Sequence, residues 1–178
     1  ATTLSSARRY VRTVLLEGTT LTEGRGTTRP LEMFGAPELD TRKLLSAMQN
    51  IAPRWLEGCA LRECWFEPTF HKHAGQLCAG LQIHVDDGAY NHAAFHPWRL
   101  MALVFKALRR IRPDFDLWRD FPYEYEHDRL AIDLINGTDL LRLWVDDDNA
   151  EPVDLEALAE SDERRWRDER PAVMLYPD

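Results

Sequence analysis

Several short segments of the chain alternate apolar and polar residues, and this alternation predicts strands. Residues 59–66 and 78–85 show it most clearly. The polar loop between them and the Asp-Asp-Gly turn after the second segment suggest that the two strands pair as a long hairpin. Residues 10–16 and 171–177, which are rich in apolar and β-branched side chains, are also predicted to be strands.

Helical periodicity is clearest in residues 97–110. Pro97 suits the first turn of a helix, and Leu100, Val104 and Leu108 fall on one face. The basic residues near the C-terminal end of this segment suit the negative end of a helix dipole. The other predicted helices cover residues 37–50, 130–136, 139–144 and 154–170.

The order of these elements predicts the fold class. Strands and helices mix without the regular strand–helix–strand repeat that builds a parallel sheet. We therefore expect an α+β fold, with a mixed or antiparallel sheet and helices packed on it. The length of 178 residues fits a single compact domain, because a chain of this size buries about two-thirds of its unfolded surface.

The composition and charge of the chain exclude some classes of binding partner. The hydrophobic fraction of 44% and the charged fraction of 29% are those of a soluble globular protein. The net charge of −8 argues against nucleic-acid binding, which needs a basic surface. No apolar run approaches the ~20 residues of a membrane span. The amino terminus lacks an apolar signal core and an initiator methionine, so we expect a processed product or a domain of a longer protein.

Neither a metal nor a cofactor is expected from the sequence. Cys59, Cys64 and Cys78 lack the spacing of a zinc site, and their expected role is that of small buried hydrophobic side chains. One disulfide with one free thiol is the alternative if the protein is exported. His71 and His73 lie two residues apart on a polar loop, without an obvious third metal ligand.

One stretch of the chain shows neither the alternation of a strand nor the periodicity of a helix, and it is expected to be an irregular loop. It covers residues 16–37 (LEGTTLTEGRGTTRPLEMFGAP). We name it the glycine loop. Its glycines alternate with threonines, two glutamates and an arginine, a composition typical either of a functional loop or of a structural Ω-loop. The sequence lacks the patterns GxxxxGK[ST] and GxGxxG, so a nucleotide site is not expected.

The charged residues of the glycine loop allow two interpretations. Glu17 and Glu23 form a carboxylate pair of the kind that glycoside hydrolysis uses, with the two groups ~5–9 Å apart. Alternatively, each glutamate holds the loop through charge-assisted hydrogen bonds. Arg25, between two glycines, either clamps a carboxylate of a ligand or pairs with one of these glutamates.

The same stretch resembles the signature of a known family. EGTTLTEGRGTTRPLEMFGAP is similar to the EGTN-S-GRGT-PFE-GAP motif of the NamZ family of exo-β-N-acetylmuramidases, formerly known as DUF1343. Thr20 and Leu31 depart from this motif, which usually has Asn and Phe at those positions. Further segments that resemble the family pattern are residues 66–70, 72–75, 78–80, 130–137 and 173–176.

The resemblance implies a domain arrangement and an activity. Family members remove N-acetylmuramic acid from the non-reducing ends of peptidoglycan fragments, and a secreted or periplasmic location is implied. They carry a Rossmann-like N-terminal domain, which holds most of the catalytic acids. Residues 1–178 then correspond to the smaller, auxiliary C-terminal domain, and the active site lies in the cleft between the two domains. No catalytic residue is assigned to this chain, which is expected to be inactive alone.

The resemblance also implies that two polar loops of this chain contact the sugar. Muramic acid carries a lactyl carboxylate, for which Arg25 or Lys72 supplies a cation. His73 donates to sugar hydroxyls, and Glu17 and Glu23 orient Arg25 or accept hydrogen bonds from the ligand. The expected substrate-binding residues are Glu17, Glu23, Arg25, Thr27, Lys72 and His73.

Two other functions remain open at the level of sequence. The first is a non-catalytic glycan- or protein-binding module that acts without an N-terminal partner. The second is a stand-alone hydrolase that uses Glu17 and Glu23 as its catalytic carboxylates.

Overall fold

The computed structural model describes residues 7, 8, 10, 13–86, 88 and 90–175. Its strands are β1 (Met33–Ala36), β2 (Ala60–Phe66) and β3 (Cys78–His84). Its helices are α1 (Thr41–Ile51), α2 (Pro97–Ile111), α3 (Ala131–Asn136), α4 (Leu140–Asp146) and α5 (Pro152–Glu169). Short 3₁₀ turns cover Val14–Gly18, Pro53–Leu56 and Arg170–Ala172.

The three strands form one antiparallel sheet in the order β1-β3-β2. β2 and β3 pair along their whole length, from Ala60 opposite His84 to Phe66 opposite Cys78, which confirms the predicted hairpin. β1 pairs with the other edge of β3, although the sequence predicts only irregular structure there. With helices packed against this sheet, the α+β class and the single compact domain are confirmed.

The strand predicted over residues 10–16 is wrong. Its C-terminal part belongs to the 3₁₀ turn Val14–Gly18, and residues 11 and 12 lie outside the described residues. Leu15 and Leu16 are both buried, whereas successive residues of a strand point to opposite faces of the sheet. The turn therefore buries two neighbouring leucines that a half-exposed strand would separate.

The strand predicted over residues 171–177 is also wrong in its described part. The chain forms the 3₁₀ turn Arg170–Ala172 and then an exposed bend up to residue 175. None of the three described strands pairs with this segment, so its apolar composition alone does not make it part of a sheet. Residues 176 and 177 lie outside the described residues.

The predicted helices are confirmed, with ends that differ by a few residues. α1 begins after Asp40, whose side chain accepts a hydrogen bond from the backbone N–H of Lys43 at 3.0 Å. This N-cap satisfies one of the N–H groups that have no partner within the helix. Leu44 and Met48 then direct one face of α1 into the core.

α2 lies at the centre of the core. Every residue from position 100 to position 108 is buried, so the helix is covered on all sides. The buried set includes Lys106, whose Nζ donates to the carbonyls of Trp144 at 2.8 Å and of Asp147 at 2.5 Å. These carbonyls lie at the C-terminal end of α4, where helix carbonyls lack intrahelical partners.

α5 is the longest helix, and it lies on the surface. Leu155 is its buried residue, and Asp154 caps its first turn by accepting a hydrogen bond from the N–H of Glu151 at 2.8 Å. Within the described ranges, neither α5 nor another helix combines the length and the apolar character needed to cross a membrane.

The three cysteines are free thiols in the described structure. Cys78 is buried, whereas Cys59 and Cys64 are partly buried, so the expected role as small core residues fits Cys78 best. Burial raises the pKa of Cys59 and of Cys78 to about 11. Both thiols are therefore protonated, and poorly reactive, near neutral pH.

Candidate functional site

The glycine loop is held between the sheet and the segment that precedes α3. On one side, Thr22 and Gly35 exchange two backbone hydrogen bonds of 2.8 and 3.0 Å. On the other side, Thr20 donates to the carbonyl of Leu117 at 2.9 Å, and the N–H of Arg119 donates to the carbonyl of Gly18 at 3.0 Å. Backbone hydrogen bonds therefore anchor the glycine loop to the rest of the domain on both sides.

Glu23 is the centre of a buried polar network in this loop. Its side chain is 0% exposed. Arg25 Nε donates to Glu23 Oε1 at 2.5 Å, and His71 Nδ1 lies 3.5 Å from the same oxygen. Lys72 Nζ lies 2.7 Å from Glu23 Oε2. The two groups form an ion pair, but the angles between them do not suit a hydrogen bond. A buried carboxylate with cationic partners of this kind organises the surrounding backbone.

The charge state of Glu23 follows from these partners. Burial raises the pKa of Glu23, but the positive charge of Lys72 and the hydrogen bond from Arg25 outweigh it, so the pKa lies below its usual 4.5. The pKa of Lys72 is also lowered, because burial outweighs the attraction of Glu23. Glu23 is therefore ionised at neutral pH, which is the wrong state for a general acid.

The lowered pKa of Glu23 predicts a pH dependence of stability. A carboxyl with a lower pKa in the folded state contributes its stabilisation above the unfolded pKa, and loses it as pH falls through the folded pKa. We expect the difference in unfolding free energy between wild type and Glu23→Gln to be constant near neutral pH and to shrink below pH 4.5, the usual pKa. Urea denaturation at a series of pH values measures it; a difference that widens in acid contradicts the assignment.

Arg25 connects the two glutamates of the glycine loop. Its Nη2 donates to Glu17 Oε1 at 2.5 Å, while its Nε binds Glu23. Burial lowers the pKa of Arg25, but its bonds to Glu23 and Glu17 more than compensate and raise it. Of the two interpretations left open by the sequence, this geometry favours the ion-paired loop over a pair of independent catalytic carboxylates.

The second polar loop, residues 67–77 between β2 and β3, is tied to the glycine loop by two side chains. Lys72 Nζ donates to the carbonyls of Leu16 at 2.7 Å and Thr19 at 3.1 Å, in addition to its ion pair with Glu23. His73 Nε2 lies 2.9 Å from the carbonyl of Thr20. The lysine side chain is only 7% exposed, so its ammonium is directed at the protein rather than at solvent.

Several backbone positions in the two loops adopt the left-handed region. His71 and His73 have φ angles of 70° and 56°, which is uncommon for residues other than glycine and recurs at functional sites. Gly26 has a φ of 80°, and a Cβ at this position would lie 1.7 Å from Thr69 Oγ1. The hydroxyl of Thr27 donates to the carbonyl of Gly24 at 2.6 Å and closes the tight turn between them.

Three residues that the sequence did not single out complete the surface around this network. Tyr123 donates from its hydroxyl to Glu17 Oε2 at 3.4 Å. The guanidinium of Arg119 lies 3.7 Å from the centroid of the Phe121 ring, and its Nη1 lies 3.5 Å from Nε2 of His71. We name Phe121, Tyr123 and Tyr125 the aromatic rim; the dense aromatic run in residues 115–125 is the sequence signal that points to it.

Two grooves of the described chain lie in other parts of the structure. They enclose about 500 and 390 Å³, the first between Arg54 and Arg99 and the second between Trp98 and Leu158. Neither is lined by a residue of the glycine loop. Among the described residues, no group of three His, Cys, Asp or Glu side chains is placed to hold a metal ion.

Comparison with known proteins identifies relatives of this chain. Residues 8–176 match the model of the family described as exo-β-N-acetylmuramidase NamZ, C-terminal. An 85-residue segment is 42% identical to peptidoglycan β-N-acetylmuramidase NamZ of Bacillus subtilis (strain 168), and this match covers 48% of the chain and 20% of that protein.

Two solved structures share the fold. They are DUF1343 family proteins of Bacteroides fragilis, BF0371 and BF0379, with TM-scores of 0.72 and 0.60 at 19% and 18% identity. The matches cover 96% and 97% of this chain but only 42% and 41% of those proteins. Since the family model spans nearly the whole described chain, the chain belongs to the NamZ family and represents its C-terminal region.

Proposed function

We propose that this chain forms one wall of the substrate cleft in a peptidoglycan exo-β-N-acetylmuramidase, which releases N-acetylmuramic acid from non-reducing ends. The network around Glu23 carries the proposal. A buried carboxylate and a buried ammonium fix two loops, while Arg25 and Glu17 keep 32% and 21% of their side chains exposed. Polar groups ordered in advance at a surface lower the cost of binding a hydroxyl-rich ligand.

The six polar residues of the two loops have different roles in this proposal. Three residues of the glycine loop that are partly exposed contact the sugar: Glu17, Arg25 and Thr27. The others direct their polar groups at neighbouring loop atoms and hold Arg25 in position: Glu23, Lys72 and His73.

The catalytic acids lie, in this proposal, in another part of the full-length protein. The solved relatives contain much more chain than the matched region, and a Rossmann-like N-terminal domain would close the cleft from the other side. Such a domain needs apolar surface to dock on. The hairpin end beside the glycine loop exposes Trp65, Phe70 and Leu77 at 63%, 56% and 65%. The substrate also implies a place of action outside the cytoplasm.

A second candidate, a glycan-binding module active without that domain, is favoured by one observation. Tyr125 of the aromatic rim is 95% exposed, and the rings of Phe121 and Tyr123 contact each other with centroids 6.0 Å apart. Exposed aromatic faces suit the apolar face of a pyranose ring. This candidate predicts sugar binding by the isolated chain, with no turnover.

Replacing Arg25 by alanine in the full-length protein tests the proposed function. We expect kcat/KM on a chromogenic N-acetylmuramide to fall roughly 10- to 100-fold, because one or two charge-assisted hydrogen bonds are lost. The same assay on the wild-type isolated chain is expected to show no turnover.

Arg42→Ala is the matched control for Arg25→Ala. Arg42 lies on the surface of α1, its side chain is 88% exposed, and its Nε lies 3.6 Å from Glu63 Oε1. We expect kcat/KM of this variant to stay within about 2-fold of wild type, since exposed ion pairs contribute little. Unchanged kcat/KM in Arg25→Ala removes Arg25 from the site, and turnover by the isolated chain refutes the two-domain cleft.

A further inference from the structure

We infer that Arg119 is the anion-binding residue of this surface and receives the carboxylate of an acidic sugar, rather than Arg25 or Lys72. For N-acetylmuramic acid this group is the lactyl carboxylate. The inference rests on the proposed function and adds the residue that determines specificity for the charged substituent.

The charge balance of the network leaves Arg119 as the unmatched cation. Glu17 and Glu23 are the two carboxylates, and they pair with Arg25 and Lys72. Arg119 is the third cation. In the described ranges its guanidinium contacts His71 and Phe121, and no carboxylate forms a salt bridge with it. One positive charge is therefore left for an incoming anion.

His71 does not cancel this charge. Burial lowers the pKa of His71, and the positive charge of Arg119 lowers it further against the attraction of Glu23. The imidazole is accordingly neutral at pH 7, and Nε2 can accept from Arg119 Nη1 at 3.5 Å. A neutral acceptor orients the guanidinium and leaves its other N–H donors available.

The position of Arg119 is fixed independently of its side chain. Its backbone N–H donates to the carbonyl of Gly18, and Thr19 forms an isolated bridge with Trp118. The side chain then stacks on Phe121, which holds the plane of the guanidinium. A planar fork held in this way suits bidentate recognition of a carboxylate.

The lysine and arginine expected from the sequence are less suited to this role. Lys72 Nζ contacts two backbone carbonyls and Glu23, and its side chain is 7% exposed. Arg25 already binds two carboxylates, so a third anion would add repulsion from both of them. Arg25 therefore contacts neutral parts of the sugar, and Arg119 contacts its charge.

The experiment compares a charged substrate with its neutral ester in the full-length protein. The substrates are a chromogenic N-acetylmuramide and the same compound with its lactyl group as the methyl ester. We expect Arg119→Met to lower kcat/KM for the acid roughly 10- to 100-fold, chiefly through KM, and to change kcat/KM for the ester less than about 3-fold. Arg119→Lys is expected to keep part of the preference for the acid over the ester, because lysine retains the positive charge but lacks the paired N–H donors of the guanidinium.

Arg112→Met is the matched control, because Arg112 also lies over an aromatic ring, that of Phe115 at 5.7 Å, but pairs with Asp114 on the exposed surface. It is expected to leave the preference for the acid unchanged. Equal losses of Arg119→Met on acid and ester, or no loss, overturn the inference while the proposed function stands.

A wild-type protein that turns over neither compound overturns the proposed function instead. Calorimetric titration with N-acetylmuramic acid and with its methyl ester then decides the anion site. A preference for the acid that Arg119→Met abolishes supports it, and equal binding of both compounds refutes it.

Discussion

Lys72→Met is expected to lower the free energy of unfolding by about 3–5 kcal/mol, because it removes one partner of a buried ion pair and leaves the other charge without compensation. Glu23 is 0% exposed and would keep Arg25 as its cationic partner, beside the neutral imidazole of His71 at 3.5 Å. The carbonyl of Thr19 would also lose its bond from Nζ. Urea denaturation followed by circular dichroism measures the loss.

Two further variants make this expectation specific to the buried pair. Lys43→Met removes a lysine that is 76% exposed and pairs with Asp40 on the surface of α1; its effect should stay within about 0.5 kcal/mol. The double variant Glu23→Gln with Lys72→Met removes both charges and should be more stable than Lys72→Met alone. A loss below about 1 kcal/mol in Lys72→Met would show that the pair does not hold the two loops together.

The parts of the fold that the sequence predicts correctly depend on local signals. The hairpin of β2 and β3 has two alternating segments with one connecting loop, and α1 has a capping residue, Asp40, immediately before its first turn. β1 has no such signal. It is four residues long, contains a glycine and pairs with β3, more than forty positions later in the chain. Its formation depends on that non-local pairing, which periodicity does not reveal.

The composition of the candidate site was predictable to a similar degree. The glycine loop and the second polar loop stand out in the sequence because glycines and charges are dense there. Their mutual contact, through Lys72 and His73, follows only from the fold. In one of its two interpretations the sequence identifies Arg25 as a partner of one of these glutamates, and in the structure Arg25 forms ion pairs with both.

Arg119 illustrates what the sequence leaves out. It reaches the glycine loop through a backbone hydrogen bond to Gly18, about a hundred positions away, and that bond joins an irregular segment to the end of the Val14–Gly18 turn. Irregular segments carry no periodicity, so their pairing cannot be inferred from hydrophobic pattern. The charge surplus that makes Arg119 a candidate becomes visible only when every other cation near Glu23 has been matched with a carboxylate.

Gly18→Ala is expected to destabilise the protein by about 3 kcal/mol or more, because no space exists for a methyl group at this position. A Cβ on Gly18 would lie 2.6 Å from both the N and the Cα of Ile132. These are backbone atoms of α3, so a change of side-chain rotamer does not relieve the contact. Either α3 or the Val14–Gly18 turn must move, and the turn carries Glu17.

Gly88→Ala separates this close packing from the general effect of replacing a glycine. A Cβ on Gly88 meets no heavy atom of the described residues within 4 Å, so this variant should stay within about 0.5 kcal/mol of wild type. In the full-length protein, Gly18→Ala should also lower kcat/KM on the muramide. The shifted turn would displace Glu17, which then no longer holds Arg25 in position. Wild-type stability in Gly18→Ala would mean that the turn and α3 can move apart at little cost. If such a stable variant also had a lowered kcat/KM, the contact between Gly18 and Ile132 would serve to position Glu17 rather than to stabilise the fold.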